Sequence, residues 1–267
     1  MMNIWASSDL HLDYQENWKW WQQLSSNTYK EDGLILAGDI THDTALFFRF
    51  FEMLLPKFKK LFFVPGNHDV WLTKQDQGTS LDKFYYLLER LETMGVQTTT
   101  WQSSELAIVP LWSWYDYTFG QPSATIKRAW MDFKRCQWSI DMPALTNYFL
   151  ERNDCSLANA QVPIISFSHF MPYADLMPPQ PPKVVAALMP VFGSEQLGAQ
   201  VTALGSSLHI YGHSHLNRSV QRGKTWFLNN SFGYPHEAYI CRKVLLPVYQ
   251  NGQVVTGIEQ WPKPPRR

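Results

Sequence analysis

The chain has 267 residues, zero formal net charge, 45% apolar residues and 15% aromatics, including 12 Trp. That length buries a sizeable core, and residues 1–267 are read as one domain. Apart from Arg266-Arg267 there is no basic run, which argues against nucleic-acid and anionic-membrane partners, because those need clustered Lys and Arg.

In chain order, residues 3–7 predict a short strand, and residues 18–24 carry aromatics at helical spacing. Residues 33–37 (GLILA) predict a buried strand, followed by a helix over 44–55 that Pro56 stops. The next strand is 61–64 (LFFV), ended by Pro65-Gly66. A helix follows over 81–94, with Leu81, Phe84, Leu88 and Leu91 on one face and Gly95 beyond its end. Strands alternating with helices imply parallel pairing through right-handed crossovers. Further strands are predicted at 106–110, 162–167, 208–211 and 225–228, with a closing hairpin of 243–249 and 253–258 around Asn251-Gly252. Two long connections interrupt this pattern. Residues 112–154 are aromatic and partly helical, best over 123–133, and 171–190 hold six prolines. Connections of that length are candidates for a lid and a binding loop.

Five polar patches follow the apolar runs: Asp9-Leu10-His11, Gly38-Asp39, Gly66-Asn67-His68-Asp69, Ser168-His169 and Gly212-His213-Ser214-His215. They contain five of the eight histidines. Asp9, His11, Asp39, Asn67, His169, His213 and His215 supply two carboxylates, one amide oxygen and four imidazoles. In open α/β sheets the ligand site lies beyond the carboxyl ends of the strands, where each patch sits. Asp-x-His and His-x-His place both members on one side if the segment stays extended, so that each pair serves one ion or divides between two. Seven ligands exceed one tetrahedral zinc and suit two cations sharing a carboxylate. Two ions about 3.5–4 Å apart clamp the oxygens of a displacement at phosphorus and acidify water toward a pKa of about 7. Mixed ligation favours Mn²⁺, Fe or Zn²⁺, with Mg²⁺ less favoured because of the histidines.

Trp71, Trp112, Trp114, Tyr115 and Asp116 follow strand ends and are candidates for the edge of a cleft; the alternative places Trp112 and Trp114 in the core. Lys127, Arg128, Lys134 and Arg135 either attract an anionic substrate or form a solvated helix face. Cys136, Cys155 and Cys241 are an odd number without Cys-x-x-Cys spacing, so no disulfide framework is expected and a reducing compartment fits better. No apolar run approaches a membrane span, and a strand starting at residue 3 leaves little room ahead for a cleaved leader. A cytoplasmic location is expected.

These motifs, in this order, resemble the calcineurin-like metallophosphoesterase superfamily over residues 3–230. The resemblance implies a four-layer α/β/β/α sandwich of two mixed sheets with a dinuclear centre at the strand C-terminal rim. It assigns Asp9, His11 and His215 to one metal, Asn67, His169 and His213 to the other, and Asp39 to both. It also implies a metal-bridging hydroxide as nucleophile, and gives His68 the role of general acid or, with Asn67, of binding the phosphate. The protein Ser/Thr phosphatase branch is not matched. That branch reads Gly-Asp-x-x-Asp-Arg where this chain has Gly38-Asp39-Ile40-Thr41-His42-Asp43, and it ends its next motif in Glu rather than Asp69. Asp43 and Asp69 remain alternatives for orienting His68. The lost Arg favours a phosphodiester over a monoester as the small phosphoester substrate. A non-catalytic metal-binding scaffold for a protein partner and a nuclease are the competing readings.

Overall fold

The computed structural model describes residues 2–158 and 160–256. Strands β1 (Ile4–Ser7), β2 (Gly33–Ala37) and β3 (Lys60–Val64) alternate with helices α1 (Gln15–Gln22) and α2 (Thr44–Leu54). Helix α1 thus starts and ends earlier than predicted. Asp43 caps α2, its carboxylate accepting the N–H groups of Ala45 at 2.9 Å and Leu46 at 3.0 Å. Helix α3 (Ser80–Thr93) begins in a capping box between Thr79 and Asp82. The short edge strand β4 (Trp101–Gln102), absent from the prediction, precedes β5 (Ala107–Pro110). Residues 123–133 form two helices rather than one, α4 (Ala124–Ala129) and α5 (Asp132–Arg135), because Trp130 between them is extended with ψ 125°. Then come α6 (Met142–Leu150), β6 (Ile164–Phe167), α7 (Lys183–Leu188), α8 (Glu195–Leu204), β7 (Leu208–Tyr211), β8 (Arg218–Arg222) and β9 (Thr225–Asn229). The hairpin is β10 (Leu246–Gln250) with β11 (Gln253–Val254); the predicted extension through residues 257 and 258 lies outside the described residues.

Two mixed sheets result. One has the order β11-β10-β1-β2-β3, the other β4-β5-β6-β7-β9-β8. In the first, β1, β2 and β3 are parallel while β10 runs antiparallel to β1. In the second, β5, β6, β7 and β9 are parallel, with β4 and β8 as antiparallel edges.

Side-chain alternation sets the layers. Ile35, Ala37 and Phe62 of the first sheet face Ile165, Phe167 and Ile210 of the second. Leu34, Leu36 and Phe63 turn the other way and pack with Phe47, Phe51, Leu87 and Leu91 of α2 and α3. Beyond the second sheet, Ala107, Val109 and Tyr211 pack with Leu197 and Val201 of α8. Each buried Leu or Phe stabilises this arrangement by about 1.5–3 kcal/mol. The fold is a four-layer helix–sheet–sheet–helix sandwich. Among the described residues no helix is long and apolar enough to cross a membrane.

Candidate metal centre

The polar patches extend the sheets as turns. Asp9 N–H donates to Gly38 O at 2.9 Å and His11 N–H to Asp39 O at 3.0 Å, continuing the pairing of β1 with β2. Asp9, His11, Asp39, His213 and His215 adopt φ of 54°, 43°, 57°, 66° and 51°, in the left-handed region. Non-glycine residues there cost about 1–3 kcal/mol each, and such strain gathers at functional sites. The Asp-x-His and His-x-His segments are therefore not extended, so the condition under which both members of a pair point the same way is not met. Two glycines permit the close approach. A Cβ on Gly38 would lie 2.6 Å from His169 Nδ1, and one on Gly66 would fall on Asp39 Oδ1.

The turns gather all seven candidate ligands, each buried. Asp9, His11, Asp39 and His215 form one group and Asp39, His169 and His213 another, the ligand atoms within each lying within 4.8 Å of one another. Asp39 belongs to both. Its Oδ2 is 3.9 Å from His11 Nε2 and its Oδ1 is 3.5 Å from His169 Nε2. Asn67 joins the second group, with Oδ1 3.0 Å from His169 Nε2. His213 and His215 divide between the groups, while Asp9 and His11 share one.

Outer hydrogen bonds aim these atoms inward. His169 Nδ1 lies 3.0 Å from Ala37 O, His213 Nε2 lies 2.9 Å from Val191 O, and His215 Nδ1 lies 2.7 Å from Glu237 Oε2. An N–H directed at each oxygen leaves the other ring nitrogen with a lone pair facing the cluster, as metal ligation requires. Asn67 Nδ2 donates to Asp132 Oδ1 at 2.9 Å, which turns its oxygen inward. Asp9 accepts from Ser231 Oγ at 2.6 Å and from the His213 N–H at 2.9 Å. This donor set fits two divalent cations.

His68 stands at the rim. It stacks on Trp71 at 3.7 Å between centroids, and its Nε2 is 3.9 Å from Asp39 Oδ2. Neither carboxylate considered for orienting it does so. Asp69 accepts the backbone N–H groups of Asp39, Ile40, Thr41 and Gly66 at 2.8–3.1 Å, and Asp43 caps α2. His42 pairs with Asp13 at 3.1 Å. His11, Asp13, Tyr14, His42, His68, Trp71 and Tyr234 line an open cleft of about 300 Å³.

Of the aromatic candidates for the cleft edge, Trp71 is there. Trp114 and Tyr115 are buried, Trp112 packs edge-on against Phe84, and Asp116 accepts from Ser194 Oγ at 2.6 Å. Lys127, Arg128 and Lys134 are exposed on α4 and α5. Sequence reasoning missed Asp132, Tyr234 and Glu237. A carboxylate amid Ala-Trp-Met-Asp-Phe is a signal for Asp132, since an acid in apolar company needs buried donors; no comparable signal marks Glu237.

Burial, reinforced by Asp69 and Asp9, pushes Asp39 well above the carboxylate range. Burial and neighbouring imidazoles hold His11 and His68 well below the usual histidine value. His215 behaves oppositely. Burial opposes its protonation, yet Asp9 and Glu237 carry it up to about 10, so its surroundings favour positive charge. Asp9 is held below its usual range despite burial, chiefly by His215.

The model of the family described as calcineurin-like phosphoesterase matches residues 2–217. The chain belongs to that family. This calcineurin-like phosphoesterase is a metal-dependent phosphoric ester hydrolase, and its Asp/His cluster is suited to a dinuclear divalent centre. It is 26% identical over 270 residues to a Mycobacterium tuberculosis protein named [acyl-carrier-protein] phosphodiesterase PptH, covering 88% of this chain and 78% of the relative. The crystal structure of phosphopantetheinyl hydrolase (PptH) from Mycobacterium tuberculosis superposes with a TM-score of 0.76 and 24% identity, over 96% of this chain and 98% of that one. That likeness shows the shared fold.

Proposed function

We propose that this phosphoesterase hydrolyses a phosphodiester, with Asp9, His11 and His215 holding one cation, Asn67, His169 and His213 the other, and Asp39 both. The observation that carries the assignment is the set of outer hydrogen bonds directing His169, His213, His215 and Asn67 inward beside the open cleft. When bound, the two cations supply a water-derived nucleophile near neutral pH and neutralise charge on the phosphoryl oxygens. Mn²⁺, Fe²⁺ or Zn²⁺ suits these ligands better than Mg²⁺.

His68 donates a proton to the departing alcohol. Burial and, after it, the surrounding imidazoles hold its pKa down, and an anionic ester beside it raises that pKa, which favours protonation once substrate is bound. Trp71 keeps the ring facing Asp39. The cleft favours a diester: the residues lining it include Asp13 but neither Lys nor Arg. A dianionic monoester needs more positive charge than a monoanionic diester. The similarity to the acyl-carrier-protein phosphodiesterase supports the phosphopantetheinyl arm of an acyl carrier protein as the substrate.

The test is a rate comparison on bis-p-nitrophenyl phosphate and p-nitrophenyl phosphate, with Mn²⁺, Fe²⁺, Zn²⁺ and Mg²⁺ supplied in turn, followed by release of the arm from a phosphopantetheinylated carrier protein. The diester is expected to react faster, and the arm to be released. A faster monoester rate rejects the diester preference, and an inert carrier protein rejects that substrate.

A further inference from the structure

Asp132 is fully buried at the start of α5, in the long connection between β5 and β6. Its Oδ1 accepts from Asn67 Nδ2 at 2.9 Å and from Trp71 Nε1 at 2.6 Å, and its Oδ2 accepts from Trp130 Nε1 at 2.8 Å. Each donor belongs to a residue that touches the centre. Asn67 presents its other amide atom, Oδ1, to His169. Trp71 stacks on His68 at an interplanar angle of 27°. Trp130 sets its ring edge-on to His213, 5.8 Å between centroids.

Three converging N–H donors need an acceptor with no hydrogens of its own, and a carboxylate is one. The amide of Asn67 has two orientations, and the one satisfied by Asp132 turns oxygen toward His169. The indole of Trp71 is pinned at one edge, which sets the plane on which His68 rests. A backbone link from the Leu72 N–H to Arg135 O at 2.8 Å holds α5 against the Trp71 loop.

We propose that Asp132 is a positioning residue that sets Asn67 for metal ligation and, through Trp71, sets His68 for proton transfer. The long connection between β5 and β6 thus reaches both the cation site and the acid. The inference rests on the ligand and acid roles proposed above for Asn67 and His68.

The experiment measures Mn²⁺ affinity by calorimetry and kcat on bis-p-nitrophenyl phosphate for the full chain and its variants. Asp132→Leu removes every acceptor at similar volume, and is expected to weaken Mn²⁺ binding and lower kcat by about 10–100-fold each, as for other partners of metal ligands. Asp132→Asn keeps an oxygen for Asn67 and Trp71 but turns its NH2 on the Trp130 N–H, and is expected to restore part of both. Trp71→Phe keeps a stacking ring but loses the hydrogen bond; kcat falls about tenfold with Mn²⁺ affinity unchanged, and this variant decides the matter if Asp132→Leu does not fold. Wild-type affinity and kcat in Asp132→Leu overturn the inference, as does wild-type kcat in Trp71→Phe or an Asp132→Asn no better than the leucine variant. Absence of Mn²⁺ binding by the wild-type chain instead rejects the ligand reading beneath it.

Discussion

His215 presents Nδ1 to Glu237 Oε2 at 2.7 Å, so a carboxylate outside the residues matched by the family model fixes this histidine's tautomer. The same Glu237 oxygen accepts the Tyr234 N–H at 2.8 Å, which anchors the turn beside the cleft. Glu237→Ala is expected to weaken divalent-metal affinity about 10–100-fold, and Glu237→Gln less so, because the amide oxygen still accepts the ring N–H. Calorimetric titration with Mn²⁺ checks this; an alanine variant that binds like wild type contradicts it.

Gly66 has no room for a methyl group, since a Cβ there meets Asp39 Oδ1 and the His169 ring. Gly66→Ala is expected to displace the one carboxylate that belongs to both ligand groups, lowering diester hydrolysis at least tenfold. The effect should be far larger than in Gly95→Ala, whose Cβ meets nothing within 4 Å although its φ of 91° strains the backbone. Equal activity losses in the two variants would show that steric displacement of Asp39 is not the cause.

A pH effect is expected from His209, which lies outside the ligand cluster. Its ring nitrogens meet Ser166 Oγ at 2.8 Å and Ser168 Oγ at 3.0 Å, and burial lowers its pKa to about 3. The unfolded chain binds a proton on this residue below about 6.5 that the folded chain does not. Stability therefore falls as pH drops from 6.5 toward 3, with a slope of about 1.4 kcal/mol per pH unit from this residue. Urea unfolding of wild type and His209→Gln across that range should differ by this slope; parallel curves refute the assignment.

Removing metal should destabilise the protein. The Nε2 atoms of His11 and His215 are 2.9 Å apart, and both residues belong, with Asp9, Asp39 and His213, to the strained left-handed turns. A cation present at one hundred times its Kd adds about 2.7 kcal/mol per site to folding. Thermal unfolding should accordingly shift upward between chelator and saturating Mn²⁺, and an unchanged Tm counts against a structural contribution from the site.

Much of this architecture was legible because strands β2 and β3 are continuous apolar runs and each ends in a short polar string. Strand β8 (RSVQR) was not, since a solvated edge strand carries little alternation. Helix α8 was obscured by Gly198, which a helix disfavours but which fits closely under Tyr173. Every candidate ligand could be named from its place after a strand, whereas Asp132 and Glu237 act across 65 and 22 positions of chain, distances no local motif spans. The left-handed turns escaped notice because Asp and His, although enriched among non-glycine residues at positive φ, still adopt it only in a small minority of positions.

Asp39 offers the most direct test, since it alone belongs to both ligand groups. Metal content and bis-p-nitrophenyl phosphate hydrolysis should be measured together on the wild type and on Asp39→Asn. The wild type is expected to hold two divalent ions per chain, and the variant to hold fewer while keeping less than about a tenth of the activity, because a lost ligand removes several kcal/mol of charge stabilisation. An Asp39→Asn chain that keeps two ions and more than that fraction of activity would contradict the shared-carboxylate centre.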